Sequence, residues 1–129
     1  MRPHAQTVLS QGGLLADPIG LAIDHTSGEM FVAVPATGVV GITPLGQQRL
    51  ISAAPPSGAE FSGIALEPGG SLVVTALGLD TGNAVIRINP ATGEQTTVAS
   101  GGLLDMGPLG IAVDRDGSLV VGGGIFGNP

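Results

Sequence analysis

The stretch "PLGIAVDRDGSLVVGG", residues 108–123, decides the fold because its pattern already occurs as "PIGLAIDHTSGEMFVAV" at residues 18–34. Each copy begins with a short alternating apolar run that ends in an acidic residue. A polar turn containing glycine follows, and then a second apolar run. Short runs bounded by Gly, Pro, Asp or Ser are typical of β-hairpins. A hairpin that recurs along the chain indicates a repeat architecture.

The period of the repeat follows from the glycine at the start of each first strand. These glycines are Gly20, Gly63 and Gly110, separated by 43 and 47 residues. In addition, "QGGLL" at 11–15 returns as "SGGLL" at 100–104, which is two such periods later. Between these markers, "VVGIT" and "AVIRI" predict a third strand, and "RLISA" and "TTVAS" predict a fourth.

Four short antiparallel strands per repeat of roughly 40–45 residues are typical of a β-propeller blade. A single four-stranded meander cannot bury both of its faces, whereas stacked meanders bury rows of Val, Ile and Leu between them. We expect the strand that begins with the repeated glycine to be the innermost one. A β-sandwich and an open solenoid are the alternative all-β architectures.

We therefore expect one all-β domain over residues 1–129, an incomplete ring of about two and a half to three β-propeller-like blades with four antiparallel strands each. The segment "AQTVLS" (5–10) resembles "EQTTVAS" (94–100), which predicts a first strand left over from a preceding blade and eleven strands in all. The expected division is a blade remnant at 1–13, blades at 14–57 and 58–101, and a partial blade at 102–129.

A closed propeller usually needs at least four blades, so this chain is too short to close alone. Three interpretations stay open: a fragment of a longer propeller, a component that assembles with its own copies, or a short open stack. Exposed blade faces would favour self-association in each case.

Composition and charge exclude several classes of function. The chain has a net charge of −6, and its four basic residues are scattered arginines, so no basic patch is available for nucleic acid or for an anionic membrane surface. Cysteine is absent, which excludes disulfides and thiolate chemistry. Aromatic residues are only 2% of the chain and glycine occurs 23 times, so the core must consist of small aliphatic side chains.

No targeting segment is expected within the chain. The apolar runs are of strand length and are shorter than the ~18 residues that a membrane-spanning helix needs. The N-terminal segment "MRPHAQTVLSQGG" lacks the sustained apolar region of a signal peptide. The compartment stays open, and a secreted parent protein is compatible with the sequence.

The pattern P-x-G-[IL]-A-[VI]-D, followed by "VIRINPATGEQT", resembles NHL-type and gluconolactonase-like propeller repeats over residues 5–123. The resemblance implies a propeller fold. NHL-type repeats usually carry an Asp after the second strand, where this chain has Val34, Ala76 and Gly122.

Gluconolactonase-like enzymes bind a divalent metal through the Asn of a P-N-G-[LI]-A motif. The corresponding residues here are Ile19, Ser62 and Leu109. Because hard cations require oxygen ligands, the resemblance favours the architecture over the lactonase activity.

Three acidic residues, Asp24, Glu67 and Asp114, occupy equivalent places at the ends of the predicted inner strands. They would either form a ring of carboxylates or stabilise the turns that follow, and we favour the turns. The two histidines, His4 and His25, have no partner cluster for metal binding or nucleophilic catalysis.

The segment "DRDGS" (114–118) resembles a calcium loop, but the twelfth position, which should be a bidentate Glu, is Ile125. We therefore interpret it as a hairpin turn in which Asp116 bonds local backbone and Gly117 adopts a positive φ.

The longest insertion, "LGLDTGNAV" (77–85), is expected to share a face with the loops that connect blades. A possible ligand face there would be lined by Asp17, Glu60, Asp80, Asn83 and Asp105. We predict no catalytic, cofactor-binding or metal-binding set, with a divalent cation such as Ca²⁺ at this face as the alternative.

The favoured function is a non-enzymatic propeller repeat module that binds a protein or a small ligand. The alternative is a fragment of a propeller hydrolase or lyase whose divalent-metal site lies mostly outside this chain. A truncated product without independent activity is the third possibility.

Overall fold

The computed structural model describes residues 5–55, 58–79 and 82–123, and all of its regular structure except one short turn is antiparallel β-sheet. The first sheet has the order β1-β2-β3-β4. Its strands are β1 (Gly20–Ile23), β2 (Met30–Val34), β3 (Gly38–Ile42) and β4 (Gln48–Ala53).

The second sheet repeats this meander in the order β5-β6-β7-β8. Its strands are β5 (Glu60–Leu66), β6 (Leu72–Leu79), β7 (Gly82–Ile88) and β8 (Gln95–Ser100). The third sheet is a hairpin of β9 (Pro108–Val113) and β10 (Leu119–Gly123). A 3₁₀ turn, Gly102–Met106, connects β8 to β9. The all-β prediction is confirmed, and the described sheets do not close into a ring.

The register of the strands is the same in the first two sheets. Ile23 pairs with Met30 and Leu66 pairs with Leu72, at the same step of each first hairpin. Each sheet also has a bulge between its third and fourth strands, next to Val39 in one and Val85 in the other. The sequence repeat is therefore also a repeat of strand pairing, apart from irregularities at Phe61/Ile64 and Ala76/Leu79 that the second sheet has and the first sheet lacks.

The main core lies between the first and second sheets. Phe31, Ala33 and Val39 from the first sheet pack against aliphatic residues of the second, such as Val74 and Ile86. A smaller cluster covers the other face of the first sheet, where Leu14 and Leu15 pack on β2 and β3. With few aromatic residues, the core depends on β-branched side chains that fit a pleated surface.

Consecutive sheets are also joined at their outer strands. Ser52 Oγ on β4 donates a hydrogen bond to Gly93 O in the β7–β8 turn (2.7 Å), and Gln95 Nε2 donates to Ser52 Oγ (2.8 Å). A Cβ on Gly93 would lie 2.6 Å from Ile51 O, so glycine permits this close approach of turn and strand.

Residues 5–10 make the same contacts without forming a strand. Ser10 Oγ donates to Gly46 O (2.9 Å), and Gln48 Nε2 donates to Ser10 Oγ (2.8 Å). The strand predicted at residues 5–10 is therefore wrong. The described residues contain ten strands, and this segment is not one of them. Its position against the first sheet nevertheless matches that of a fourth strand.

The turn 114–118 is the hairpin turn predicted from the sequence. Ser118 N donates to Asp116 Oδ1 (2.9 Å), and Gly117 has a φ of 88°. The bond from Ser118 lowers the pKa of Asp116. In the described part of the chain, no helix is long and apolar enough to cross a membrane.

Candidate functional site

The predicted ligand face contains one pair of residues that the structure brings together. Asn83 N donates to Asp105 Oδ1 (3.2 Å), and Asn83 Nδ2 donates to Leu104 O (3.0 Å). Asn83 Oδ1 also accepts a bond from Gly78 N (3.0 Å). Asn83 therefore ties the β6–β7 hairpin to the 3₁₀ turn, and its polar atoms are engaged in local structure.

The other predicted residues of this face are not gathered around that pair. Asp17 precedes β1 and Glu60 begins β5, both exposed and each three residues before a repeat glycine. Neither side chain forms a hydrogen bond with another described residue. Asp80 lies outside the described residues, as does His4.

A concave surface lies at the end of the sheets opposite to Asn83 and Asp105. Here the turns after β1, β5 and β9 converge around a cavity of about 660 Å³. The equivalent acidic residues Asp24, Glu67 and Asp114 all line it, together with His25 and Arg115. Three repeats thus contribute the same position to one cavity, which we call the central cavity.

Asp24 and Asp114 each stabilise the turn in which they lie. Asp24 Oδ1 accepts the Thr26 amide (2.9 Å), and Asp114 Oδ1 accepts the Arg115 amide (2.7 Å). The bond from the Thr26 amide holds the pKa of Asp24 below its ordinary value. Asp24 is therefore an anion at neutral pH and can act as an acceptor of hydrogen bonds.

Glu67 is held by an arginine from the same sheet. Arg87 Nε donates to Glu67 Oε1 (2.6 Å) and Arg87 Nη2 to Oε2 (2.8 Å), a bidentate ion pair. The pair lowers the pKa of Glu67 and raises that of Arg87. Its charge is neutralised locally, so Glu67 contributes less negative potential to the central cavity than Asp24 and Asp114 do.

The central cavity presents both signs of charge and both kinds of hydrogen-bonding group. His25 is exposed in the β1–β2 turn, and Arg115 extends from the β9–β10 turn. Within the described residues, no three His, Cys, Asp or Glu side chains are grouped closely enough to hold a metal ion. The cavity can therefore form hydrogen bonds with a polar molecule through side chains that come from different turns.

Sequence reasoning missed a buried polar network on β5, β6 and β9. Ser62 Oγ and Thr75 Oγ1 lie 2.6 Å apart, Gly63 N donates to Thr75 Oγ1 (2.7 Å), and Ser62 Oγ donates to Pro108 O (3.1 Å). Both hydroxyl side chains are buried. The network joins β5, β6 and β9, so Ser62, which the sequence resemblance aligned with the Asn of a lactonase motif, serves to hold strands together.

The sequence signal for this network is the polar residue inside the apolar run "SLVVTA". The equivalent residues by strand register are Ala33 and Gly122. A hydroxyl in a buried strand needs partners, and those partners come from β5 and β9.

No family model matches this chain. No curated protein matches it either. Among solved structures, the chain resembles a protein of unknown function from Bacteroides caccae, with a TM-score of 0.57 and 18% sequence identity. The match covers 81% of this chain but only 38% of the Bacteroides caccae chain. A likeness at this identity shows a shared fold.

Proposed function

We propose that the chain is a non-catalytic section of a β-propeller that binds a polar, hydroxyl-rich small ligand at the central cavity. The observation that carries this proposal is the convergence of three equivalent turns, with Asp24, Glu67 and Asp114, on one cavity of about 660 Å³. Cavities of this size accommodate small molecules.

The propeller interpretation is supported by the repeated contacts between sheets. Meanders of identical order follow one another, and the β1 and β5 strands, like β5 and β9, are neighbours. The chain spans 38% of a longer solved protein that it resembles, which is consistent with a section of a larger propeller. The resemblance to NHL-type and gluconolactonase-like repeats stays a prediction.

The choice of ligand rests on the chemistry of the cavity. Asp24 and Asp114 supply carboxylate acceptors, whereas Arg115 supplies guanidinium donors and His25 an imidazole. Hydroxyl groups both donate and accept, so a sugar or polyol would satisfy both kinds of group.

Titration of ¹⁵N-labelled protein with a panel of monosaccharides and disaccharides tests the proposal by chemical-shift mapping. Shifts should concentrate in the turns 24–29, 67–71 and 114–118. Asp114→Ala should weaken binding at least ten-fold. The matched control is Asp116→Ala, because Asp116 stabilises the same turn but does not line the cavity.

Two results would refute the proposal. One is the absence of saturable shifts with any sugar of the panel. The other is saturable stabilisation by Ca²⁺ with shifts at the opposite end, around Glu60 and Asp105, which would favour the metal-dependent hydrolase instead.

A further inference from the structure

The turn between β9 and β10 contains the one Asp–Gly dipeptide of the chain, Asp116 followed by Gly117, and the sequence has no Asn–Gly dipeptide. In these two dipeptides the side-chain carbonyl carbon is readily attacked by the next backbone nitrogen, because glycine has no Cβ to obstruct the approach. The proposed function involves Asp114 and Arg115 of this turn and leaves the Asp–Gly pair without a role.

Both residues of the dipeptide are exposed, and this exposure is a property of the turn. The equivalent turn of the second sheet, residues 67–71, belongs to a sheet with a neighbouring sheet on each side, and Pro68, Gly69 and Gly70 are exposed there as well. Among the described residues, no atom lies within 4 Å of a Cβ placed on Gly117. Water therefore reaches the carboxyl group and the peptide bond of the dipeptide.

The two equivalent turns have the same backbone geometry. In each, the first amide donates to the last carbonyl, and the amide of a glycine donates to the first carbonyl. These bonds join Asp114 N to Ser118 O (2.8 Å), Gly117 N to Asp114 O (3.0 Å), Glu67 N to Ser71 O (2.8 Å) and Gly70 N to Glu67 O (2.9 Å). Gly117 and Gly70 both have a positive φ, 88° and 97°. Gly69 therefore occupies the place of Asp116 in the second sheet.

Two hydrogen bonds hold the reacting groups of the dipeptide while the turn is closed. Ser118 N donates to Asp116 Oδ1 (2.9 Å), and Gly117 N donates to Asp114 O. The bond from Ser118 lowers the pKa of Asp116, so the protonated, reactive carboxyl is scarce in the closed turn. Exposed turns open locally at a low cost in free energy, and opening releases both groups.

We propose that Asp116 is a site of spontaneous isomerisation to isoaspartate, through a succinimide that forms with Gly117 when the turn opens. The protonated carboxyl of Asp116 loses its hydroxyl, together with the proton of Gly117 N, as one water molecule, and a bond forms between that nitrogen and Cγ. Water then opens the five-membered ring. Breaking the bond from nitrogen to Cγ restores aspartate, whereas breaking the bond from nitrogen to the backbone carbonyl carbon leaves the chain running through Cβ and Cγ.

Isomerisation changes the turn because it adds one carbon atom to the backbone and leaves a carboxylate on Cα. The hydrogen bond from Gly117 N to Asp114 O spans this insertion, so the turn cannot keep its geometry. Asp114 and Arg115 line the central cavity from the same turn, and we expect them to shift with it. Neither the modification nor its measurement depends on ligand binding at that cavity.

Incubation of the full chain at physiological temperature and pH, followed by peptide mapping with electron-transfer fragmentation, tests the proposal. Isoaspartate should accumulate about ten-fold faster at Asp116 than at Asp114, a difference in activation free energy of about 1.4 kcal/mol. Asp114 is a stringent internal control, because its Oδ1 lies only 2.7 Å from Arg115 N but the attacking residue carries a Cβ. Addition of urea should raise the rate at Asp116, since unfolding releases both reacting groups.

Two variants separate the chemistry from the fold. Asp116→Glu would need a six-membered ring and should lose the signal. Gly69→Asp creates a second Asp–Gly dipeptide in the equivalent turn and should add a second isoaspartate there. Gly69 has no positive φ, and no described atom lies within 4 Å of a Cβ placed on it, so the turn accommodates this substitution.

Three results would overturn the proposal. One is a folded chain in which Asp116 stays unmodified over the period in which the urea-unfolded chain isomerises there. Another is faster accumulation at Asp114 or at any other aspartate than at Asp116. The third is a Gly69→Asp variant that gains no isoaspartate in the equivalent turn.

Discussion

Replacing Gly63 with alanine tests the packing of the inner strands most sharply. The added methyl would lie 2.5 Å from Leu109 O and 3.1 Å from Gly110 Cα, whereas ordinary van der Waals contact begins near 3.4 Å. Since the obstructing atoms belong to the backbone, β5 and β9 must separate by nearly an ångström. We expect overpacking of this kind to cost about 2–3 kcal/mol.

The repeat supplies matched controls at the equivalent positions. Gly20→Ala meets Ser62 O at 3.0 Å and should cost less, about 1 kcal/mol. Gly110→Ala meets no described atom within 4 Å and should change stability by less than about 0.5 kcal/mol. None of the three glycines has a positive φ, so the series isolates steric contact from backbone strain.

Chemical denaturation and thermal unfolding of the three variants give the comparison. For a chain of this length a loss of 2–3 kcal/mol should lower the midpoint temperature by about 10 °C. The expected order of destabilisation is Gly63→Ala, then Gly20→Ala, then Gly110→Ala. Equal effects at Gly63 and Gly110 would refute the proposed packing of β5 against β9.

Three further predictions concern polar contacts. Thr75→Val should destabilise the fold by about 1–3 kcal/mol, because the buried Gly63 amide loses its acceptor; an unchanged denaturation midpoint would contradict this. The pair of Glu67 and Arg87 lowers the pKa of Glu67, so its contribution is present above pH ~4.3 and is lost as pH falls through the lower value of the folded state. Glu67→Gln should therefore lose about 0.5–1 kcal/mol at neutral pH and should flatten the acid limb of the stability profile, and an identical acid limb would count against it. Asn83→Ala should cost about 1–2 kcal/mol and speed hydrogen exchange at the Gly78 amide, which donates to its side chain; unchanged exchange would argue against the tie.

Most of the strand pattern was predictable because it is local. Alternation and turn residues set the strands from β1 to β10, and the repeated glycine marked the first strand of each sheet. Residues 5–10 could not be predicted correctly from sequence alone. They have the residues of a fourth strand, but a strand exists only where a neighbouring strand accepts and donates its backbone bonds.

The site was less predictable because it depends on which ends of distant strands meet. The equivalence of Asp24, Glu67 and Asp114 was visible in the repeat and suggested a ring of carboxylates as one alternative, whereas the sequence could not show that their turns surround a cavity. The possible ligand face named from the sequence instead contains Asn83 and Asp105, whose contact ties two loops. Short polar loop residues have the same composition whether they bind a ligand or their own backbone.

The central claim, that successive sheets pack against each other along β1, β5 and β9 through the repeated glycines, can be measured directly by nuclear Overhauser effects. In a uniformly ¹³C,¹⁵N-labelled sample, contacts should join the Gly20 Hα to the Ile64 methyl and the Gly63 Hα to the Gly110 Hα. Observation of both contacts would match the stack described here. Their absence, while the pairings within each hairpin persist, would contradict it.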